Sequence, residues 1–232
     1  VEIILPPRTS GRLHVVFDWN GTLIDDLMLA VQSVNHVRRR YGMADIDETI
    51  YREAFCFPIH AFYEKIGFPL ETITFSEIME AYLRQFDAQV LHCLLHNGAM
   101  HLLSMLRKAK IGCSILSASH RHTLARTLRH HEIHDYFEHV IGLSDSHAGG
   151  KLEQARSLND ALGKHNDHIL LVGDTTHDID IALGLGWTVL SVSHGHQSRE
   201  ILQKATTNIV DHLPGAQDFI CAWAAARGGH CE

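Results

Sequence analysis

Four short segments carry side chains able to do chemistry. The first reads Val15-Val16-Phe17-Asp18-Trp19-Asn20-Gly21-Thr22, an apolar run closed by a carboxylate and a glycine turn. Backbone N–H groups in such a turn can point at an anion, although Asp-x-Asn-Gly is also a good solvated turn in its own right. The second, Ile169-Leu170-Leu171-Val172-Gly173-Asp174-Thr175-Thr176-His177-Asp178, repeats the apolar run, the glycine and the carboxylate, and adds a carboxylate four residues on. Asp178 falls at the start of the next helix, where N-capping is the ordinary role. Carboxylates gathered at strand ends repel one another unless a cation sits among them, and their hard oxygens suit Mg²⁺. The third segment, Ile115-Leu116-Ser117-Ala118-Ser119, sets a hydroxyl at a strand end, where a lone serine is usually a cap. The fourth is Lys151, after Gly149-Gly150; a lone lysine is usually solvated.

These residues need elements to hold them. Short apolar runs at 13–17, 111–116, 139–143, 168–172 and 188–192, with a short edge run at 208–211, have the length of buried parallel strands. Between them lie helical patterns: Ala99, Leu102, Leu103 and Leu106; Ala155, Leu158 and Leu162; Ile179, Ala182 and Leu183. Strands alternating with helices predict a doubly wound α/β parallel sheet. Polar groups at the carboxyl ends of its strands build the site, and those positions hold Asp18, Ser117 and Asp174. A strand–helix–strand unit needs about 30 residues, yet Asp18 and Ser117 lie far further apart, so a segment is inserted. Its pattern is helical, with Leu27, Val31, Val34 and Tyr41 on one face and Ile78, Tyr82, Leu83 and Phe86 on another. The expected division is a core of 1–25 and 95–232 and an α-helical cap of 26–94.

Composition narrows the class. The chain has 232 residues, 45% hydrophobic and 20% charged, which fits a globular protein and not a disordered one. With 20 Lys and Arg against 27 Asp and Glu it is mildly acidic, which argues against a nucleic-acid partner. Five widely spaced cysteines without a Cys-x-x-Cys read as reduced thiols and a cytoplasmic protein. The N-terminus is too short and proline-broken for a signal peptide, and no stretch suits a membrane span. The 20 histidines are scattered. His92 and His96 have metal-ligand spacing but no accompanying motif, and surface or packing roles fit them better.

The four segments in this order resemble the haloacid dehalogenase (HAD) superfamily, whose phosphatases share an Asp-x-Asp-Gly-Thr, Ser/Thr, Lys, Gly-Asp-x-x-x-Asp layout. The likeness runs over almost the whole chain and includes a helical cap between the first two motifs, as in the phosphoglycolate phosphatase-like branch. Segments 57–68 and 193–198 also look like that branch. The resemblance implies a Rossmann-like core and a Mg²⁺-dependent hydrolase acting on a small phosphorylated metabolite. By it, Asp18 would be the nucleophile, giving an aspartyl-phosphate. Ser117 would hydrogen-bond a phosphoryl oxygen, aided by backbone N–H groups near Asn20, Gly21 and Ala118. Lys151 would neutralise charge on the phosphoryl group and on Asp18. Asp18, the carbonyl of Asn20, Asp174 and Asp178 would hold Mg²⁺, Asp178 directly or through water. His60, in the mostly apolar cap loop 55–60, would face the substrate.

Position 20 departs from this layout. The phosphatases carry Asp there as acid and base, and an asparagine has no titratable proton. Its amide and carbonyl remain free in principle for substrate and metal. His60, His120 and His177 are the alternative proton donors nearest in sequence. Three other readings stand beside the phosphatase. A phosphonate hydrolase would need a Schiff-base lysine in the cap, where Lys65 is the one available. A dehalogenase would leave Asp174 and Asp178 without a metal to hold. A phospho-ligand-binding relative would turn over weakly for want of the acid.

Overall fold

The computed structural model describes residues 12–143, 150–163 and 168–231. Among them six strands form one parallel sheet: β1 (His14–Phe17), β2 (Gly112–His120), β3 (His139–Leu143), β4 (Ile169–Gly173), β5 (Thr188–Val192) and β6 (Ile209–Val210), in the order β3-β2-β1-β4-β5-β6. Side chains of a strand alternate between faces, and here both faces are covered. Val15, Phe17, Ile115 and Val172 pack under α5 (Ala99–Lys108) and α10 (Leu213–Ala225). Val16, Leu116 and Leu171 pack under α7 (Lys151–Leu162) and α8 (Thr176–Leu185). Burial on both faces explains why the strands read as unbroken apolar runs. The doubly wound α/β class expected from the sequence is the one observed.

The strand order reverses at β1, which pairs with β2 on one side and β4 on the other. A crevice opens at such a reversal, outside the carboxyl ends of the strands. Phe17 lies in register with both Ile115 and Val172, so Asp18, Ser117 and Asp174 emerge together at the rim of that crevice.

Several sequence expectations shift. β2 runs past Ser117 to His120, with an irregular register against β3 beyond Leu116. Leu183, expected on the buried face of α8, is 62% exposed. The Gly149 that precedes Lys151 in the fourth segment lies outside the described residues.

Between β1 and β2 the chain forms α1 (Leu27–Arg40), α2 (Glu48–Ala54), α3 (Ile59–Lys65) and α4 (Phe75–Gln89). Tyr41, expected on the apolar face of α1, instead ends that helix and is exposed. The two ends of this insertion leave the core side by side: the Asp25 N–H donates to the Leu94 carbonyl at 2.8 Å, and the His96 N–H to that of Leu23 at 2.9 Å. Inside it, the buried Asn35 amide closes a two-way bridge to Ile46, donating to its carbonyl at 2.8 Å and accepting from its N–H at 2.9 Å. Asn35→Ala should therefore leave two buried backbone groups unpaired and cost about 1–3 kcal/mol, read as a lower melting temperature. Unchanged melting would mean that water replaces the bridge. No helix among the described residues is long and apolar enough to cross a membrane.

Candidate active site

Asp18 follows the last residue of β1, and its N–H donates to the Val172 carbonyl at 2.9 Å. Its Oδ1 accepts from the Trp19 N–H at 2.8 Å and lies 3.0 Å from Lys151 Nζ. Lys151, at the start of α7, donates to Asp178 Oδ1 at 2.6 Å. Asp178 is not the N-cap of α8. Thr175 is, and Asp178 stands three residues in, completing a capping box in which its Oδ2 accepts from the Thr175 N–H at 3.1 Å, and also from the Thr175 hydroxyl at 2.6 Å. Asp174 accepts from the Thr22 hydroxyl at 2.8 Å and from the His196 N–H at 2.7 Å. Asp18, Asp174 and Asp178 are all buried, and ligand oxygens of the three lie within 4.8 Å of one another.

Gly21 is fixed by two constraints. Its φ is +69°, where a side chain is strained, and a Cβ there would collide with the Asp174 carboxylate and the His196 ring.

Burial dominates the electrostatics. It pushes the Asp18 carboxyl up to about 7; Lys151 pulls it back down, while Asp178 and Asp174 add to the rise. Burial likewise lifts Asp174 to about 6, against the opposing charge of His196. Burial works against the Lys151 ammonium, but Asp178 and Asp18 more than offset it and hold its pKa above the ordinary value. Around the crevice four carboxylates (Asp18, Asp26, Asp174 and Asp178) face two cationic groups, Lys151 and His196. A divalent cation would balance that difference, and the oxygen donors have the hardness Mg²⁺ prefers. The residues present therefore fit such an ion.

Asn20 is held at both ends of its side chain. Its Nδ2 donates to Asp26 Oδ2 at 2.6 Å, and its Oδ1 accepts from the Ser119 hydroxyl at 2.5 Å, with Ser117 Oγ at 3.5 Å. The side chain expected to be free for substrate or metal is thus committed to the protein. The Gly21 N–H, expected to face an anion, donates to Asp26 Oδ1 at 2.7 Å. Ser117 Oγ accepts from the Ser119 N–H at 3.0 Å, and Ala118 lies in the cavity wall.

The three candidate histidines separate. His60 is exposed on α3, 3.6 Å from Glu64 and packed on Phe75, and does not line the cavity. His177 stacks on Phe57 at 4.5 Å, its pKa lowered by burial and by Lys151. His120 is in the cavity wall and caps α6 (Arg121–His130). Lys65 is exposed, 3.2 Å from Cys56 Sγ and outside the cavity wall, so it cannot serve as a Schiff-base lysine there.

Four residues that sequence reasoning misses stand at the site: Asp26, Tyr51, Ser119 and His196. His196 Nε2 is 3.3 Å from Asp26 Oδ1, and its Nδ1 is 3.0 Å from the Tyr51 hydroxyl. Burial opposes its charge, but Asp26 and then Asp174 and Asp18 raise its pKa to about 9. The Arg52 guanidinium donates to the carbonyls of Ser193 and Gln197, and the Gln197 amide to that of Phe55, so α2 is tied down onto the loop that carries His196. The Asp25-Asp26 doublet just beyond the glycine turn is the signal that could have drawn attention to Asp26.

A sequence profile of the haloacid dehalogenase-like hydrolases matches residues 15–192. The tyrosine-protein kinase PtkA of Mycobacterium tuberculosis is 27% identical over 209 residues, 89% of this chain and 70% of that protein. The phosphoglycolate phosphatase of Synechococcus elongatus is 25% identical over 195 residues, 82% of this chain and 88% of its own. Among solved structures, a predicted phosphatase from Clostridium acetobutylicum superposes with a TM-score of 0.79 at 24% identity, covering 91% of this chain and 99% of that one.

Proposed function

The chain belongs to the haloacid dehalogenase-like hydrolase family, and within it we propose a phosphatase that hydrolyses a small phosphomonoester through an aspartyl-phosphate. The observation that carries this is Asp18 itself, a buried carboxylate at the strand-order reversal that lines a cavity, is paired with Lys151 and has Asp174 and Asp178 beside it. The phosphoglycolate phosphatase relative supports the same reading. The division into a core (1–25 and 95–232) and a cap (26–94) belongs to the proposal.

In the first half-reaction an Asp18 oxygen bonds to phosphorus while the bond from phosphorus to the leaving oxygen breaks. In the second, water attacks the phosphoryl group and releases phosphate, restoring Asp18. Lys151 neutralises charge on the carboxylate and on the transferring group. Ser117, fixed by the Ser119 N–H, offers its hydroxyl to a phosphoryl oxygen. Asp18, Asp174, Asp178 and the backbone carbonyl of Asn20 would hold Mg²⁺, which when bound supplies charge neutralisation between carboxylate and phosphate. Asn20 carries no proton to give, and Asp26 is the carboxylate one hydrogen bond behind it.

Excess chelator should suppress phosphate release from an activated substrate such as acetyl phosphate, and Mg²⁺ should restore it. Asp174→Ala should raise the Mg²⁺ concentration needed by at least about tenfold, in line with the loss of a carboxylate ligand. Full activity in chelator would overturn the metal-assisted reading and favour metal-free chemistry such as dehalogenation.

The 27% identical kinase favours a second reading, phosphoryl transfer to a tyrosine. Against it, the cavity wall contains no lysine or arginine among the described residues to meet a polyphosphate chain. Labelled ATP with a tyrosine peptide distinguishes the two: label on the peptide would support transfer, and label in free phosphate alone would support hydrolysis.

A further inference from the structure

The cavity above Asp18 has a volume of about 300 Å³. Asp18, Asn20 and Ser119 bring polar groups to it. The side formed by the inserted helices is largely aromatic and apolar. Tyr51, Phe55 and Phe62 come from α2, α3 and the turn between them, with ring centroids 5.2 to 5.4 Å apart. Met79, Tyr82 and Phe86 come from α4 and face them. These rings present edges and faces to the space, the surface on which another aromatic ring packs best, and the Met79 thioether adapts to a ring edge.

The charges point the same way. Among the described residues no lysine or arginine lies in the wall, while Asp26 and Asp87 do. The His196 ring is already engaged at both nitrogens, by Asp26 and by the Tyr51 hydroxyl. A carboxylate or a second phosphate on the leaving group would be stripped of water here with no lysine or arginine to receive it. A cavity of about 150 Å³ lined by apolar side chains is enough for benzene, so this one admits a phosphoryl group carrying one ring, or two fused rings.

We propose that the substrate is a phosphomonoester of an uncharged alcohol or phenol bearing an aromatic ring, and that the wall formed by α2, α3 and α4 selects it by packing. This rests on the phosphatase reading but adds to it, because that reading alone is equally content with a glycolate or sugar leaving group.

The test compares phenethyl phosphate with phosphoglycolate, both being esters of ordinary alcohols, so that leaving-group acidity does not decide the outcome. Acetyl phosphate reports the chemistry separately. In kcat/KM, phenethyl phosphate should exceed phosphoglycolate by at least about tenfold, a discrimination that hydrophobic pockets reach with a single methylene. Parity or the reverse order, with acetyl phosphate hydrolysed, overturns the inference and leaves the phosphatase reading intact. If acetyl phosphate too is left intact the phosphatase reading fails, and if acetyl phosphate alone is hydrolysed that reading stands; in both cases calorimetric binding of the two esters in Mg²⁺ decides this inference, on the same tenfold criterion.

A charge swap probes the wall directly. Leu83 lines the cavity yet is 43% exposed, so Leu83→Lys should fold. The added ammonium should lower kcat/KM for phenethyl phosphate and raise it for phosphoglycolate. A loss on both substrates alike would count against selection by the wall. Met79→Lys, deeper on the same helix, should move the ratio further in the same direction; an unmoved ratio in both variants overturns the inference.

Discussion

Asp18→Asn should abolish turnover, by at least about 10³-fold given what removal of a covalent nucleophile costs other enzymes, while the fold survives. The amide keeps the shape of the carboxylate and can still accept from the Trp19 N–H and from Lys151, both of which now reach Oδ1. What it lacks is the charge and the lone pair that attacks phosphorus. Stability should not fall in the metal-free protein. Burial and two neighbouring carboxylates raise the Asp18 pKa from 3.8 to about 7. An acid whose folded pKa lies above its unfolded value favours the fold below the unfolded pKa and loses that advantage as pH rises toward the folded one. The ionised form is thus the disfavoured one at neutral pH, and a neutral amide relieves it. Melting without metal at pH 7 should be equal to or above wild type, and phosphate release should vanish. Wild-type-like hydrolysis would rule out the covalent route.

The strands β1, β4 and β5 are legible in the sequence because they are buried on both faces, which leaves an apolar run that no periodicity argument can miss, while the edge strands β3 and β6 are only half-buried. Asp18 and Asp174 are legible because each stands next to such an apolar run, whereas Asp178 and Lys151 are legible only through the order of the four segments. The extension of β2 from Ser117 to His120 is hidden, since its polar residues give no strand pattern. Helices α2 and α3 are equally hidden. Each has seven residues, about two turns, and packing of Tyr51, Phe62 and Tyr63 holds them more than propensity does. Leu83 reads as a core position on α4, yet it is exposed at the cavity wall, a place between core and surface that hydrophobicity does not distinguish. The partners of Asn20 are out of reach for a different reason. His196 meets Asp26 and Tyr51 only through the closure of loops, and Tyr51 lies 145 positions from it in the chain. No local period encodes such contacts. Asn20 itself looks, in the sequence, like a missing acid. In the structure it is the middle of a chain running from Ser119 through its amide to Asp26, His196 and Tyr51.

That chain sets the terms on which an acid can be restored. From the sequence alone, Asn20→Asp should raise activity on poor leaving groups, because a carboxylic acid there could protonate the departing oxygen. The structure changes the expected result. The introduced carboxylate would meet that of Asp26 at the 2.6 Å now spanned by a hydrogen bond from Asn20. Two carboxylates so close cannot both ionise, so they would share a proton or the loop would move. Asn20→Asp alone should therefore gain little and should destabilise the protein. Asn20→Asp with Asp26→Asn reverses the bond: the new amide donates and the new carboxylate accepts, with the charge count unchanged. The double variant should be more stable than the single one, with a coupling energy in the range of about 0.5–3 kcal/mol seen for contacting residues. It should also approach the 10²–10⁴-fold or so that general acid catalysis supplies, on poor leaving groups such as alkyl phosphates, with little change on acetyl phosphate. One cost is foreseeable: Asp26→Asn removes the counter-charge of His196, whose Nε2 lies 3.3 Å from Asp26 Oδ1. The decisive measurement is a rate series across leaving groups for all four proteins of the cycle. A dependence on leaving-group acidity that is already flat in the Asn20 protein would mean that a proton is supplied elsewhere. His120, which unlike His60 and His177 stands in the cavity wall, would then be the first to replace.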